Sequence, residues 1–194
     1  MQTRLLESGV SLFFNGGVRF FTMEGVAESA GVSKRTLYKY FPSRHQLIEA
    51  VIKTLFQKIR NLFIAALDQE KNPVLQMNFI FSNIFQMISS MPMDRLLELK
   101  THYPDIWERV EQFREERLED WKMIFFDGQK KGYFKKDLNM EVYSKIHVRI
   151  LNSVFNPDFL SGNDLKPTEV FPEFLNIING GILTEKGKKY ESIL

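Results

Sequence analysis

Residues 33–44 put cations where a helix gains nothing from them. Ser33 is a suitable N-cap, so Lys34 and Arg35 fall in the first turn of the helix it opens. Positive charge there opposes the helix macrodipole, at a cost of about a few tenths of a kcal/mol per exposed side chain. Contact with a polyanion would give that cost a reason. Exposed N–H groups and cationic side chains at a helix start can meet phosphate oxygens and base edges. Thr36, Tyr38, Lys39 and Tyr40 extend the surface with hydroxyls and another cation, and no acidic residue occurs from Ser33 to Gln46. The alternative is a solvated basic face on a structural helix hairpin. Turn, caps and charge together favour nucleic acid.

These side chains need a helix-turn-helix to hold them. Thr22 is a plausible N-cap for a short helix over 23–29. Ala30-Gly31-Val32 then separates it from the cationic helix, and Gly31 supplies the left-handed backbone of a tight turn. Val26, Val32 and Leu37 fill the small core, and Ala27 permits a close crossing.

The charge distribution agrees. Net charge is only +2, but residues 1–47 carry six basic side chains (Arg4, Arg19, Lys34, Arg35, Lys39, Arg44) against Glu7, Glu24 and Glu28. A basic N-terminal unit precedes a near-neutral body. With 194 residues, 44% hydrophobic and 26% charged, the composition is that of a globular protein. The absence of cysteine excludes disulfides, thiolate metal sites and a cysteine nucleophile. No run of about 18–20 apolar residues suggests a membrane span, and the N-terminus makes a poor secretory signal. We therefore expect a cytoplasmic protein without membrane partners.

At Leu12-Phe13-Phe14, Gly17, Thr22, Val26-Ala27, Ala30-Gly31-Val32-Ser33, Thr36-Leu37-Tyr38-Lys39-Tyr40-Phe41 and Ser43-Arg44 followed by Leu47, the chain resembles the TetR family of bacterial one-component regulators. The match covers about Leu5 to Val51. The resemblance implies that Thr22 touches phosphate and that Lys34, Arg35 and Thr36 face the major groove. It implies that Tyr38 and Tyr40 contact the sugar-phosphate backbone. Arg44 stands where the family commonly has a phosphate-binding lysine. Glu24 departs from frequent usage by placing an acid near the expected DNA backbone. The family's C-terminal domain dimerises and usually binds a small molecule, so the expected partners are a double-stranded DNA operator, a second copy and an unidentified effector.

Beyond residue 47 the apolar spacing is helical throughout. Ser43–Ala66 forms one unbroken amphipathic pattern. Further helices are expected over 73–90, 92–102, 104–132, 139–155 and 168–179, with a loop over 158–167 and an uncertain tail from 184. The candidate pocket lining is Phe81, Phe85, Met91, Trp107, Trp121 and Phe125, with His102 and Tyr103 as polar handles. The alternative is a Phe/Met-rich core without a cavity. The helix over 139–155 is apolar on two sides. Tyr143, Ile146, His147, Ile150 and Val154, with Phe171, Phe174 and Ile178, are the candidate dimer interface; the alternative is burial within one subunit.

Nothing points to an enzyme. His45, His102 and His147 lack metal-ligand spacing, and there is no phosphate loop or nucleophile elbow. No metal or cofactor is expected. The sequence predicts an all-α chain. A three-helix DNA-binding domain (1–47) is joined by a long helix to a helical ligand-binding and dimerisation domain (48–194). The expected function is a homodimeric repressor released from a palindromic operator by an apolar or amphipathic molecule. The rival is a helical carrier for apolar molecules without operator binding.

Overall fold

The structure, a computed structural model, describes residues 1–15, 21–89 and 93–191. Gly16, Gly17, Arg19, Met91 and Pro92 lie outside them. The described residues form α1 (Gln2–Asn15), α2 (Met23–Ser29), α3 (Lys34–Tyr40), α4 (Arg44–Gln69), α5 (Pro73–Ser89), α6 (Met93–His102), α7 (Pro104–Glu116), α8 (Leu118–Lys130), α9 (Met140–Val154), α10 (Pro157–Gly162), α11 (Pro167–Ile182) and α12 (Glu185–Lys188). They contain no strand, only one isolated antiparallel bridge between Phe134 and Leu183. No helix among them is long and apolar enough to cross a membrane.

Two compact units result, and neither is one continuous stretch. The first combines Met1–Ile59 with Ser90–Val110, the second Arg60–Ser89 with Glu111–Leu194. In the first, Leu5, Val10, Phe13 and Phe14 of α1 are buried with Val26, Leu37 and Leu47. Gly9 lets α1 lie close to α4, since a Cβ there would stand 2.9 Å from Val51 Cγ2. Arg95 of α6 is almost wholly buried in this unit. Its guanidinium lies over the rings of Phe21 and Phe13, 5.0 and 5.6 Å from their centroids.

The second unit is built around aromatic rings. Phe81 of α5 stacks on Trp121 of α8 at 5.0 Å, and Phe63 meets Trp121 edge-on at 5.0 Å. Two expectations need correction here, and the tail that the sequence leaves open takes a definite form. The helix over 104–132 is divided at Arg117, where a tight turn marked by Arg117 N–H donating to Arg114 C=O separates α7 from α8. No proline or glycine announces this break. The loop over 158–167 begins as α10, because Asn156 caps Asp158 N–H and Pro157 suits a first helical position; the pair both stops α9 and starts the next helix. The tail holds α12, capped by the Thr184 hydroxyl accepting from Gly187 N–H at 3.2 Å.

Gly132 ends α8 with φ +76° and lets the chain turn back, so that the buried Phe134 ring covers Gly128. A Cβ on Gly128 would collide with that ring. Gly128→Ala should therefore lower the unfolding free energy in urea by about 1–3 kcal/mol, although alanine favours helix.

Candidate nucleic-acid interface

The turn between α2 and α3 is fixed from both ends. Thr22 Oγ1 accepts from Gly25 N–H at 2.9 Å, and Ser33 Oγ accepts from Thr36 N–H at 3.1 Å. Gly31 takes φ +60°. The Arg4 side chain closes the turn from α1, with Nε donating to Ala30 C=O at 2.6 Å and Nη2 to Gly31 C=O at 3.1 Å. In the sequence Arg4 stands out only as a charge. Its role depends on a pairing across 26 residues, which local spacing does not reveal.

Leu37 anchors α3 from below with no exposed surface. Lys34, Arg35, Tyr38, Lys39 and Tyr40 point into solvent, Tyr38 being 40% and Tyr40 38% exposed. Thr36 is half-buried, and its hydroxyl lies 2.9 Å from Ser33 Oγ. Among the described residues Arg35 and Lys39 make no ion pair. Hydroxyls, rings and two uncommitted cations thus share one short helix with its cap exposed, an arrangement suited to phosphate and base-edge contact.

Two predicted contacts have partners inside the protein. Lys34 pairs with Glu24 of α2, and its ammonium holds the Glu24 carboxyl below its ordinary range. The cation in the first turn of α3 therefore has an intramolecular reason as well as a possible nucleic-acid one. Glu24 also keeps a negative charge beside the surface. Glu24→Gln should raise duplex affinity by about two- to fivefold at low salt, measured by titration of labelled DNA, because Lys34 is released and a repulsive charge removed.

Arg44 is the second. Its Nη2 donates to Glu98 Oε1 at 2.6 Å and to Phe21 C=O at 3.2 Å, and Nη1 donates to the Tyr103 hydroxyl at 3.0 Å. Glu98 also accepts from Arg95 Nη1 at 3.0 Å. Arg44 is thus a clamp holding the start of α4 to α6 and the turn before α7. The phosphate role implied by resemblance would require breaking that clamp. Tyr103, expected as a pocket handle, is part of it.

The remaining pocket candidates divide between the units. His102 is exposed and Trp107 buried in the first; Phe81, Trp121 and Phe125 are buried and Phe85 half-buried in the second. Met91 is outside the described residues. The dimer candidates divide too. Ile146 is 50% exposed, and Tyr143, Ile150 and Val154 are half-buried. His147, Phe171, Phe174 and Ile178 fill the protomer's own core. Of the two stripes on α9, the one bearing His147 turns inward because aromatic rings of the same chain cover it. Val142, one turn before Ile146, and Ile177 on α11 are 50% and 70% exposed.

Residues 5–51 match the family model described as bacterial regulatory proteins, tetR family. A relative from Bacillus subtilis, the uncharacterized HTH-type transcriptional regulator YvaF, is 25% identical over 96% of this chain and 97% of its own length. Over residues 5–51 the chain is thus similar to the TetR family. Another similar protein is the HTH-type transcriptional repressor KstR2 of Mycolicibacterium smegmatis, 24% identical over 96% of this chain and 92% of its own. Among solved structures, the transcriptional regulator FadR from Bacillus subtilis in complex with stearoyl-CoA shares the fold. Its TM-score is 0.62 at 14% identity, covering 93% of this chain and 99% of that one. The relatives that this chain resembles are transcriptional regulators. Among the described residues no group of three or more His, Asp or Glu could hold a metal ion.

Proposed function

We propose that this chain is a TetR-family regulator that acts as a homodimeric repressor. Each copy sets α3 into a major groove of a palindromic operator, and an apolar or amphipathic small molecule releases it. The observation that carries this reading is the exposed face of α3, where Arg35, Lys39, Tyr38 and Tyr40 surround a turn held rigid by Gly31 and Arg4. Two-fold symmetry calls for half-sites about 34–36 Å apart or a related spacing. The ring-lined second unit, and a fold neighbour solved with stearoyl-CoA, support a small-molecule effector. If ligand and DNA favour different conformations, each weakens the other's binding reciprocally.

The exposed Val142 and Ile146, at successive turns of α9, and Ile177 on α11 support self-association, because such side chains gain from burial against a second copy. Replacing Ile146 and Ile177 with Glu should give a folded monomer whose operator affinity is lower by about a hundredfold. Sedimentation of the chain, free and on a selected duplex, checks this. Two copies per site support the reading, and a wild-type monomer that binds one copy per site contradicts it.

A further inference from the structure

His147 is a polar side chain in the wrong company. It sits on α9 with no exposed surface, and neither ring nitrogen has a hydrogen-bond partner among the described residues. A neutral imidazole offers one donor and one acceptor, and buried groups of this kind are nearly always paired. The rings around it come from four helices. Trp121 and Phe125 of α8 lie 4.8 and 5.2 Å away between centroids, Phe174 of α11 at 5.6 Å, Phe81 of α5 at 5.9 Å and Tyr143 of α9 at 6.3 Å. A phenylalanine at 147 would suit this cage better. The Tyr143 hydroxyl, one turn earlier, is likewise buried without a partner.

The cage has an edge. Phe85 is half-buried; its ring lies 5.2 Å from Phe171, which lies 5.9 Å from Phe81, the neighbour of His147. A row of aromatic side chains therefore runs from the rim to the imidazole. Of the rings packed against that imidazole, Tyr143 is the one that titrates, and none of them carries a charge at neutral pH. Burial itself keeps the ring neutral by pushing its pKa down to about 3. A charged group brought into this ring cage would lose its hydration.

Resting on the reading that the second unit takes a small molecule, we infer that His147, with Tyr143 beside it, is the polar anchor of that site. The part of the ligand held in the cage is uncharged and largely apolar, and carries a hydroxyl or carbonyl that pairs with the imidazole. A ligand with this group satisfies the orphaned nitrogens, whereas a hydrocarbon of the same shape leaves them unmet. Discrimination then comes from one hydrogen bond in an apolar site.

The test uses the full chain and two probes of one skeleton, 2-naphthol and naphthalene, with binding followed by fluorescence that includes Trp121 in the cage. The preference for 2-naphthol over naphthalene should be about tenfold greater in the wild type than in His147→Phe, the scale of one buried hydrogen bond. His147→Gln, which keeps a donor and an acceptor, should retain much of the preference and serves if the phenylalanine variant does not fold. An unchanged preference in both variants overturns the inference. So does a wild type that binds neither probe, which would leave the nitrogens to bridging water only. The regulator reading fails separately. A chain that binds 2-naphthol through His147 but recognises no DNA sequence keeps this site and loses the operator.

Discussion

Replacing His147 with Phe should flatten the loss of stability expected of the wild type as pH falls from about 6.5. The imidazole's folded-state pKa is pushed down to about 3 by burial, from an ordinary value of 6.5. Between those limits the unfolded chain holds a proton there that the folded chain does not. Stability therefore rises with pH across the window; it is fully present above 6.5 and is lost as pH falls towards 3. A tenfold change in proton affinity corresponds to about 1.4 kcal/mol, so the whole window is worth about 3–5 kcal/mol and the span from about pH 6.5 to 5 about 2. Carboxylates held low, such as Glu49 beside Lys53 and Arg109, act mainly below their ordinary value of 4.5, and Asp120, raised by burial, acts in the opposite direction; both are common to the two proteins, so the difference between them isolates His147. Urea unfolding of the two proteins at pH 7, 6 and 5 measures the difference. Parallel pH dependence in both would mean that the imidazole is hydrated or charged in the folded state.

The second large effect separates two arginines that look alike in the sequence. Arg35→Ala should leave the unfolding free energy within about 0.5 kcal/mol, because the side chain is exposed and unpaired among the described residues. It should lower operator affinity by about tenfold or more and make the salt dependence shallower by about one phosphate contact. Arg44→Ala should do the reverse in kind. It removes one of the two arginine partners of the half-buried Glu98 and the tie to Phe21 and Tyr103, so stability falls by about 1–3 kcal/mol. The affinity of the folded fraction then changes only as far as α4 shifts. Denaturant unfolding beside duplex titration at several salt concentrations distinguishes the two. If Arg44→Ala stays fully stable while its salt slope drops, Arg44 leaves its clamp on DNA and the phosphate role belongs to it.

The contrast between Arg35 and Arg44 also marks how far the sequence could be read. The helix-turn-helix was legible because its determinants are local. The caps at Thr22 and Ser33, the left-handed Gly31 and the buried Leu37 all act within a few residues. Interactions that cross the chain were not. Nothing local tells that Arg4 closes the turn at Ala30, that Glu24 answers Lys34, or that Arg44 is held by Glu98. Helix α9 shows the same limit in the body. Periodicity displays two apolar stripes, and only packing against Trp121, Phe125 and Phe174 decides that His147 faces inward while Ile146 remains outside. The turn at Arg117 carries no breaker residue and left no trace in the pattern.

The measurement that bears most directly on the nucleic-acid reading is selection of bound duplexes from a random DNA pool, followed by titration of the winner over a range of salt. A palindromic sequence, bound by two copies with affinity that falls steeply as salt rises, is the expected result. A folded protein that enriches no sequence and binds DNA only weakly would contradict it. The ring-lined body would then be left as a carrier of apolar molecules.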